Sequence, residues 1–504
     1  MIVCTSAYLR QRLSPSFLVA LCSVLTATSY DLCLAAEKPD LTLVFPSGGQ
    51  LGTTVDVVAT GKFSEWPMQI WSDTKAIEWS CSSESGKLQA KIGPDAKLGV
   101  HWIRLYCPSG ATAVRPFLVG ELPECNETEP NDRIAEVTSD TLIPQSIQAI
   151  LNKRGDVDLY AVNLKVNELL VATVDSEKWL FSPADVSLQI LDSKGFVLHE
   201  NIDHVGLDPY LEFQAPQESR YFVKVFGFPS APDSSIGFSG GKDWVYRLRM
   251  TSRKTSHERA HDFALQSELD SEHLESPPGS HLSSSDAMTI PIPSRVKGTL
   301  AEPGQTTSMR FSAKANSNHR IRLLAREFGS PLDATLTVFD SAAKQLLQQD
   351  DIENKRDPVV KWKAPADGDF TLSISDFHSH GGPEYQFLLL LDELPASFLP
   401  KVANDLIQTT IGKEVEVAVD FERESDFQGP ITVTVEGLPS SAICPAVESK
   451  HGTDTVSKVT LKITVPEAFQ GPIQIVAKTP EAPNLDRIAQ IPNHKPIWLS
   501  ITVD

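Results

Sequence analysis

The fold class is indicated by the stretch SPADVSLQILDS, which occupies residues 182–193. Its middle part, Val186–Leu191, alternates between apolar and polar residues, as expected for a strand that buries one of its faces. Pro183 precedes this part and Asp192 and Ser193 follow it, and residues of these types favour turns. The stretch therefore predicts a short strand between two turns.

The same pattern recurs along most of the chain after residue 38. Val, Thr, Phe and Tyr alternate with polar residues in short runs, and Gly (28 residues) and Pro (35 residues) separate these runs. Because no long amphipathic helix with capping residues is recognisable, we predict an all-β protein built from tandem β-sandwiches. A length of 504 residues allows several such domains. Further predicted strands are Thr54–Thr60, Leu169–Val174, Tyr221–Phe226, Trp244–Met250, Thr335–Phe339 and Phe370–Ser375.

One part of the chain is an internal repeat. The stretch SPLDATLTVFDS at residues 330–341 matches residues 182–193 at an offset of 148. An Asp-Pro pair at 208–209 recurs at 357–358, and Tyr246 matches Tyr385 at an offset of 139, which predicts a loop ten residues shorter in the second copy. A period near 149 residues indicates two duplicated domains rather than a solenoid.

The N-terminus has the features of a secretory signal. Arg10 and Arg12 precede an apolar run from Phe17 to Leu25, and small residues follow up to Ala35 and Ala36. We predict a signal peptide at 1–36 and a protein that is secreted, periplasmic or at the cell surface. An uncleaved signal anchor is the alternative. No later stretch is long and apolar enough to predict a membrane span after signal cleavage.

These patterns divide the rest of the chain into blocks. Four blocks carry strand patterns, and a stretch rich in Ser, His, Glu and Pro predicts a polar flexible linker between the second and third. The predicted boundaries are 39–120, 125–251, linker 252–290, 291–393 and 394–504.

The charge balance limits the partners. With 45 Lys and Arg against 65 Asp and Glu, the chain has a formal net charge of −20. Such a surface repels phosphate backbones, so we expect no nucleic-acid binding, whereas calcium or a basic partner is favoured.

Four cysteines follow the predicted signal, too few for a disulfide-rich scaffold. Cys81 and Cys107 both lie near predicted strands. In an oxidising compartment they are either a disulfide or two buried thiols, and the sequence leaves both alternatives open.

Two family resemblances follow from short motifs. The stretch PSGGQLG at 46–52, followed by a Val-rich strand, resembles the opening of IPT/TIG immunoglobulin-like domains. The stretches ETEPND at 127–132 and DVDLY at 156–160, with the closing strand Trp244–Arg249, resemble the bacterial pre-peptidase C-terminal (PPC) domain family. This second resemblance covers 125–251 and, less closely, 291–393. It implies small β-sandwiches of the kind appended to secreted proteases and to non-proteolytic exported proteins.

The candidate ligand site is an acidic group in the first repeat. Calcium takes six to eight hard oxygen ligands, and carboxylates from two nearby segments can supply them. In collagenase-type collagen-binding domains, which look like PPC domains, a Glu-x-Glu-x-Asn-Asp segment binds calcium. In the second copy Gln305 and Thr307 replace two aspartates, so we expect no binding there; the alternative for the first copy is an acidic linker without an ion. The predicted ligands are Glu127, Glu129, Asn131, Asp132, Asp156 and Asp158.

Two apparent catalytic motifs lack their structural context. HERAH at 257–261 fits H-E-x-x-H but lies in the polar linker, without the helix that a zinc site needs. GFSGG at 237–241 fits G-x-S-x-G, but a predicted strand follows it where a nucleophile elbow needs a helix. Asp376, His378 and His380 are interpreted as a solvated turn. We therefore predict no catalytic residue.

The favoured function is a non-catalytic exported protein that binds protein or glycan at the cell envelope or exterior. A protease or protease-accessory protein is the alternative that the PPC resemblance raises. A structural surface component is the third.

Overall fold

The computed structural model describes residues 38–203, 206–228, 237–253, 287–326, 330–351, 357–480 and 487–503. These residues form four successive β-sandwiches, with one short α-helix and one 3-10 helix. The predicted all-β fold of tandem sandwiches is confirmed. The predicted signal at 1–36 and the HERAH motif at 257–261 lie outside the described residues. Within the described ranges, no helix is long and apolar enough to cross a membrane.

The first sandwich packs the sheet β1-β3-β6-β5 against the sheet β2-β9-β7-β4, and β8 extends β7. Lys87–Ile92 shows why these residues form strands: exposed and buried side chains alternate strictly, so one face enters the core. The strands are β1 Asp40–Phe45, β2 Gly48–Gln50, β3 Thr54–Lys62, β4 Gln69–Ser72, β5 Ile77–Cys81, β6 Lys87–Ile92, β7 Gly99–Cys107, β8 Gly110–Ala111 and β9 Arg115–Gly120.

The second sandwich contains the sheets β10-β11-β18-β13-β16 and β12-β17-β14-β15. Its core includes Tyr160, Val223 and Tyr246. The elements are β10 Glu124–Asn126, β11 Gln145–Ile150, β12 Val157–Leu164, β13 Leu169–Asp175, α1 Glu177–Leu180, β14 Val186–Leu191, β15 Val197–Asn201, β16 Tyr210–Gln214, β17 Ser219–Gly227 and β18 Val245–Arg253.

The third sandwich contains the sheets β19-β21-β26-β23-β24 and β20-β27-β22-β25. Apart from its first strand and β10, it repeats the strand order of the second sandwich. Its strands are β19 Met288–Thr289, β20 Ser294–Thr299, β21 Thr306–Ala313, β22 Asn318–Leu324, β23 Ala334–Phe339, β24 Gln345–Gln349, β25 Val359–Lys363, β26 Gly368–Asp376 and β27 Gln386–Glu393.

The register corrects one detail of the sequence repeat. Leu151 N–H bonds the carbonyl of Trp244, and at the equivalent position Leu300 N–H bonds the carbonyl of Tyr385. Tyr385 is therefore equivalent to Trp244, and Phe387, not Tyr385, is equivalent to Tyr246. The connection before β27 is thus eight residues shorter, not ten, than the connection before β18. The error arose because a tyrosine happens to lie two positions from the true match.

The fourth sandwich contains the sheets β28-β30-β33 and β29-β36-β34-β31-β32, with β35 paired to β34. Its elements are β28 Ser397–Lys401, β29 Leu406–Thr410, β30 Val415–Glu424, β31 Ile431–Glu436, β32 Val447–Ser449, β33 Lys458–Ile463, β34 Phe469–Lys478, β35 Arg487–Ile488, the 3-10 helix Pro492–His494 and β36 Ile497–Thr502.

Both ends of the predicted linker 252–290 belong to sandwiches instead. Strand β18 continues to Arg253, and β19 pairs in parallel with β21. The side chain of Ile290 is buried in the core of the third sandwich. The polar composition of the linker concealed these few apolar residues; positions 254–286 lie outside the described residues.

The four cysteines in the described part of the chain are free thiols. Cys81 and Cys107 lie on different sheets of the first sandwich. Each sulfur has a partner of its own: Cys81 Sγ lies 3.1 Å from the carbonyl oxygen of Met68, and Cys107 Sγ lies 3.1 Å from Ser109 Oγ. Of the two alternatives that the sequence left open, the structure has the pair of thiols.

The first and fourth sandwiches contact each other although they are far apart in the sequence. Arg104 on β7 is fully buried, and its Nη2 lies 2.6 Å from Asp405 Oδ2. The rings of Trp71 and Tyr106 pack on Trp498 of β36, with centroids 5.8 and 5.0 Å apart. An ion pair between the buried Arg104 and the half-buried Asp405, with the ring of Trp498 beside the guanidinium group, therefore joins the two domains.

Candidate functional site

The acidic segment after β10 lies between the two sheets of the second sandwich at one end. Glu127 N–H donates to the carbonyl of Gln148 on β11, and Leu159 N–H of β12 donates to the carbonyl of Asn131. The segment therefore runs from the edge of one sheet to the edge of the other. This path brings its side chains to the first residues of β12.

Three carboxylates converge there. One oxygen each from Glu127, Glu129 and Asp158 lies within 4.8 Å of the other two. Asp158 is fully buried. Glu127 Oε1 accepts the N–H of Ile150 at 2.7 Å, whereas its buried Oε2 has no hydrogen-bond partner among the described residues.

Asn131 connects two of these carboxylates. Its side chain is only 4% exposed, and one of its terminal amide atoms lies 2.8 Å from Glu129 Oε2 and 3.2 Å from Asp158 Oδ1. With the amide NH₂ in this position, it donates to both carboxylates. With the amide turned by half a rotation, its oxygen faces both of them, and that orientation needs either a cation between these oxygens or a proton on one of the carboxylates.

Burial makes the negative charge of this group costly. It raises the pKa of Glu127 to about 7, against the lowering effect of the Ile150 N–H bond. Burial and then the charge of Glu127 also raise the pKa of Asp158 well above its usual value. Burial and the charge of Asp156 raise the pKa of Glu129. The site therefore favours bound protons or a cation over free carboxylates.

A pair of tyrosines supports the buried aspartate. Tyr246 OH donates to Asp158 Oδ2, and the hydroxyl oxygens of Tyr160 and Tyr246 lie 2.7 Å apart. Burial and the charge of Asp158 raise the pKa of both hydroxyls, so both remain protonated donors. The sequence analysis missed these two residues because they lie within apolar strands. A comparison of the two copies could have identified them, because Met309 and Phe387 replace the two tyrosines in the third sandwich, where Thr307 replaces Asp158.

Asp132 and Asp156 form a neighbouring ion-pair group instead of joining the three carboxylates. Lys153 Nζ lies 3.5 Å from Asp132 Oδ2 and 3.4 Å from Asp156 Oδ1. Asn152 N–H donates to Asp156 Oδ2 at 2.6 Å, and Asn152 Nδ2 donates to Glu129 Oε1 at 3.1 Å. Of the six predicted ligands, the structure thus brings four together: Glu127, Glu129, Asn131 and Asp158.

Two of the motifs that resemble catalytic sites lie within the described residues, and both are in loops between strands. Residues 237–241 belong to the connection from β17 to β18, so a strand follows them, and Ser239 bridges back to Gly227. Asp376 Oδ1 accepts the N–H groups of His378 and His380 at 3.0 and 2.8 Å. That pattern is a hydrogen-bonded turn.

Comparisons with known proteins find likenesses at the level of structure. No family model and no curated protein matches the sequence. The pre-peptidase C-terminal domain of a Bacillus anthracis collagenase matches with 15% identity and a TM-score of 0.19, over 22% of this chain and all of that one. Fibronectin(III)-like modules of Clostridium thermocellum CbhA match with 7% identity and a TM-score of 0.14, over 44% of this chain and 92% of theirs. The four N-terminal Ig domains of Dscam1 match with 10% identity and a TM-score of 0.19, over 91% of this chain and 96% of that one. At such scores, these likenesses assign neither a family nor a function.

Proposed function

We propose that the protein is an exported, non-catalytic binding protein of the cell envelope or exterior, and that its second sandwich binds one calcium ion. The observation that carries the calcium site is the group of Glu127, Glu129, Asn131 and Asp158, in which Asp158 and Asn131 are buried, Glu127 is half-buried and Glu129 is exposed. One oxygen from each of the three carboxylates lies within 4.8 Å of the other two, and a cation between them would balance their charges in place of bound protons.

The chemistry of the ligands favours calcium over other metals. The group offers three carboxylates and one amide oxygen, without histidine or cysteine, and zinc prefers nitrogen and sulfur ligands. Carboxylates that bind through one or both oxygens suit the large, variable coordination shell of calcium. Magnesium demands a strict octahedron and retains several waters.

The proposed ion would fix the path of the chain between the first two sandwiches. Gln148 on β11 accepts the N–H of Ser47 in the first sandwich at 3.2 Å, and its Nε2 donates to Glu124 on β10 at 2.7 Å. Glu124 also pairs with the buried Arg247. The acidic segment continues directly from β10, so an ion that ties Glu127 and Glu129 to Asp158 would anchor this whole connection. Without the ion, the mutual repulsion of the carboxylates would loosen it.

The test is a calcium titration of the full chain after treatment with a chelator, by isothermal calorimetry and thermal unfolding. We expect one bound ion per chain, and about 2.7 kcal/mol of added stability at a calcium concentration a hundred times the Kd. The isosteric changes Asp158→Asn and Glu129→Gln should abolish the heat of binding. Glu416→Gln, on the exposed face of the fourth sandwich, is the matched control and should bind normally. Absence of calcium binding, or unchanged binding in Asp158→Asn, would contradict the proposal.

A further inference from the structure

The third sandwich contains a cleft among the described residues. It lies at one end of the sheet β19-β21-β26-β23-β24, on the face turned away from the core, and has a volume of about 400 Å³. Its lining includes Gln305, Thr335, Gln348 and Ser375, with the ring of Phe377 beside them.

Two substitutions within the repeat account for the cleft. In the second sandwich, Gly155 N–H donates to the carbonyl of Phe238, whose ring packs on Phe226 with centroids 4.5 Å apart. The ammonium group of Lys224 lies over both rings. These side chains fill the space at the end of the sheet.

The third sandwich keeps one backbone hydrogen bond of this region but not the aromatic pair. Gly304 N–H donates to the carbonyl of Ser379, as Gly155 does to Phe238, so Ser379 takes the position of Phe238. Ser375 takes the position of Phe226, since β17 and β26 align at an offset of 149. The shorter loop before β27 passes very close to the turn at Glu302. The approach is so tight that a Cβ atom on Gly381 would lie 2.2 Å from the carbonyl oxygen of Glu302. Two serines therefore replace two phenylalanines, and a polar space opens.

The opened space contains one buried hydroxyl without a partner and two side-chain amides that are only partly hydrogen-bonded. Thr335 is only 5% exposed, yet its hydroxyl oxygen has no hydrogen-bond partner among the described residues. Such a group costs free energy unless a ligand or water satisfies it. Gln305 and Gln348 each accept one hydrogen bond through the side-chain oxygen, which leaves their NH₂ groups available to donate. Thr306, Ser375 and Thr335 follow one another across three adjacent strands, so a row of hydroxyls continues across the sheet.

The charges at the cleft limit the class of ligand. Its one charged lining residue is Asp376, and backbone N–H groups of Asp333, His378 and His380 already occupy that carboxylate. An anion would therefore meet no cationic lining group, and a cation would meet no available carboxylate. At the rim, the ring of Phe377 is 58% exposed.

We infer that this cleft binds a neutral glycan. A sugar ring has hydroxyl groups that match amide and hydroxyl partners, and an apolar face that packs on an aromatic ring. A few convergent polar groups in a concave surface are the usual form of a small-ligand site. The inference rests on the proposed binding function and names its ligand class. The residues that would carry it are Thr335, Gln348, Ser375 and Phe377.

The experiment is affinity electrophoresis of the full chain in gels that contain hydroxyethyl cellulose, glucomannan, xylan or laminarin. We expect at least one of these neutral polysaccharides to retard the protein. Phe377→Ala should weaken that binding by about tenfold, because it removes the aromatic face on which a sugar ring would pack. The double variant Ser375→Phe/Ser379→Phe places two bulky rings at the cleft and should abolish retardation.

The control is Phe228→Ala, because Phe228 is equivalent to Phe377 and is 41% exposed in the second sandwich; it should be retarded like the unmodified chain. Retardation should persist in a chelator, so a failure of the calcium site and a failure of the cleft are separable. Retardation by none of the four polysaccharides would overturn the inference. So would unchanged retardation of the double variant, or retardation by gelatin alone, which would indicate a peptide site.

Discussion

Calcium affinity is expected to depend on pH in a way that the structure allows to be calculated. The half-buried Glu127 has a pKa of about 7 without an ion, so near neutrality about half of the molecules carry a proton there. Calcium binds the ionised carboxylate, and the proton must leave when the ion binds. The experiment therefore compares calcium titrations of the protein between pH 6 and pH 8.

The magnitude follows from that single ionisation. At pH 6 about a tenth of Glu127 is ionised, and at pH 8 about nine tenths, so the apparent affinity should rise by about tenfold. The raised pKa of Asp158 acts in the same direction, which makes tenfold a lower bound. Without calcium, the free energy of unfolding changes with pH in the opposite direction, falling as the pH rises. The stability that protonated Glu127 contributes is fully present below pH 4.5 and is lost as the pH rises through 7, by on the order of 3 kcal/mol.

Isothermal calorimetry in two buffers with different ionisation enthalpies measures both the affinity and the number of protons released. At pH 7 we expect release of about half a proton from Glu127, and more if Asp158 also ionises. Thermal unfolding in a chelator should show the loss of stability between pH 4.5 and 7, and saturating calcium should suppress it. Equal affinities at pH 6 and 8, with no proton release, would refute the reasoning.

Two further predictions concern buried polar pairs. Tyr246→Phe removes the hydroxyl that donates to Asp158 and should lower the free energy of unfolding by about 1–3 kcal/mol in the chelator, measured by urea unfolding; an unchanged midpoint would contradict this. Arg104→Ala leaves Asp405 without its buried partner and should cost about 3–5 kcal/mol, whereas Arg104→Ala with Asp405→Ala should cost less than the sum of the two single changes. Strict additivity in this double-mutant cycle would show that the pair does not couple the first and fourth sandwiches.

The strands could be predicted from the sequence because their signal is local. The alternation within Val186–Leu191 depends on neighbouring residues alone, and the structure has a strand with these bounds. Strand β19 could not be predicted in this way. It has two residues, Met288 and Thr289, and only its pairing with β21 makes it a strand.

Those residues of the candidate calcium site that lie close together in the sequence could be predicted from it. Glu127, Glu129 and Asn131 form one motif, and Asp158 follows within the same repeat. Which aspartate joins the carboxylates could not be predicted, because Lys153 pairs with Asp156 and draws it to the neighbouring group. Tyr246 was missed because 88 positions separate it from its partner, and only the strand register brings the two together.

The second and third sandwiches, which are the two copies of the duplicated domain, differ at two places, one in the core and one on the outer surface. Inside the second sandwich, Asp158 and Tyr246 form a polar network that is costly to bury and needs the acidic segment or an ion to satisfy it. At the equivalent positions the third sandwich has Thr307 and Phe387, and its core includes Phe387. Its stability therefore needs no ion. On the outer surface, Phe226 packs on Phe238 in the second sandwich, whereas a cleft lined by hydroxyl groups lies at the equivalent place in the third. If one copy is responsible for fixing the chain and the other for binding a ligand, chelation should loosen the second sandwich and leave the cleft of the third unchanged.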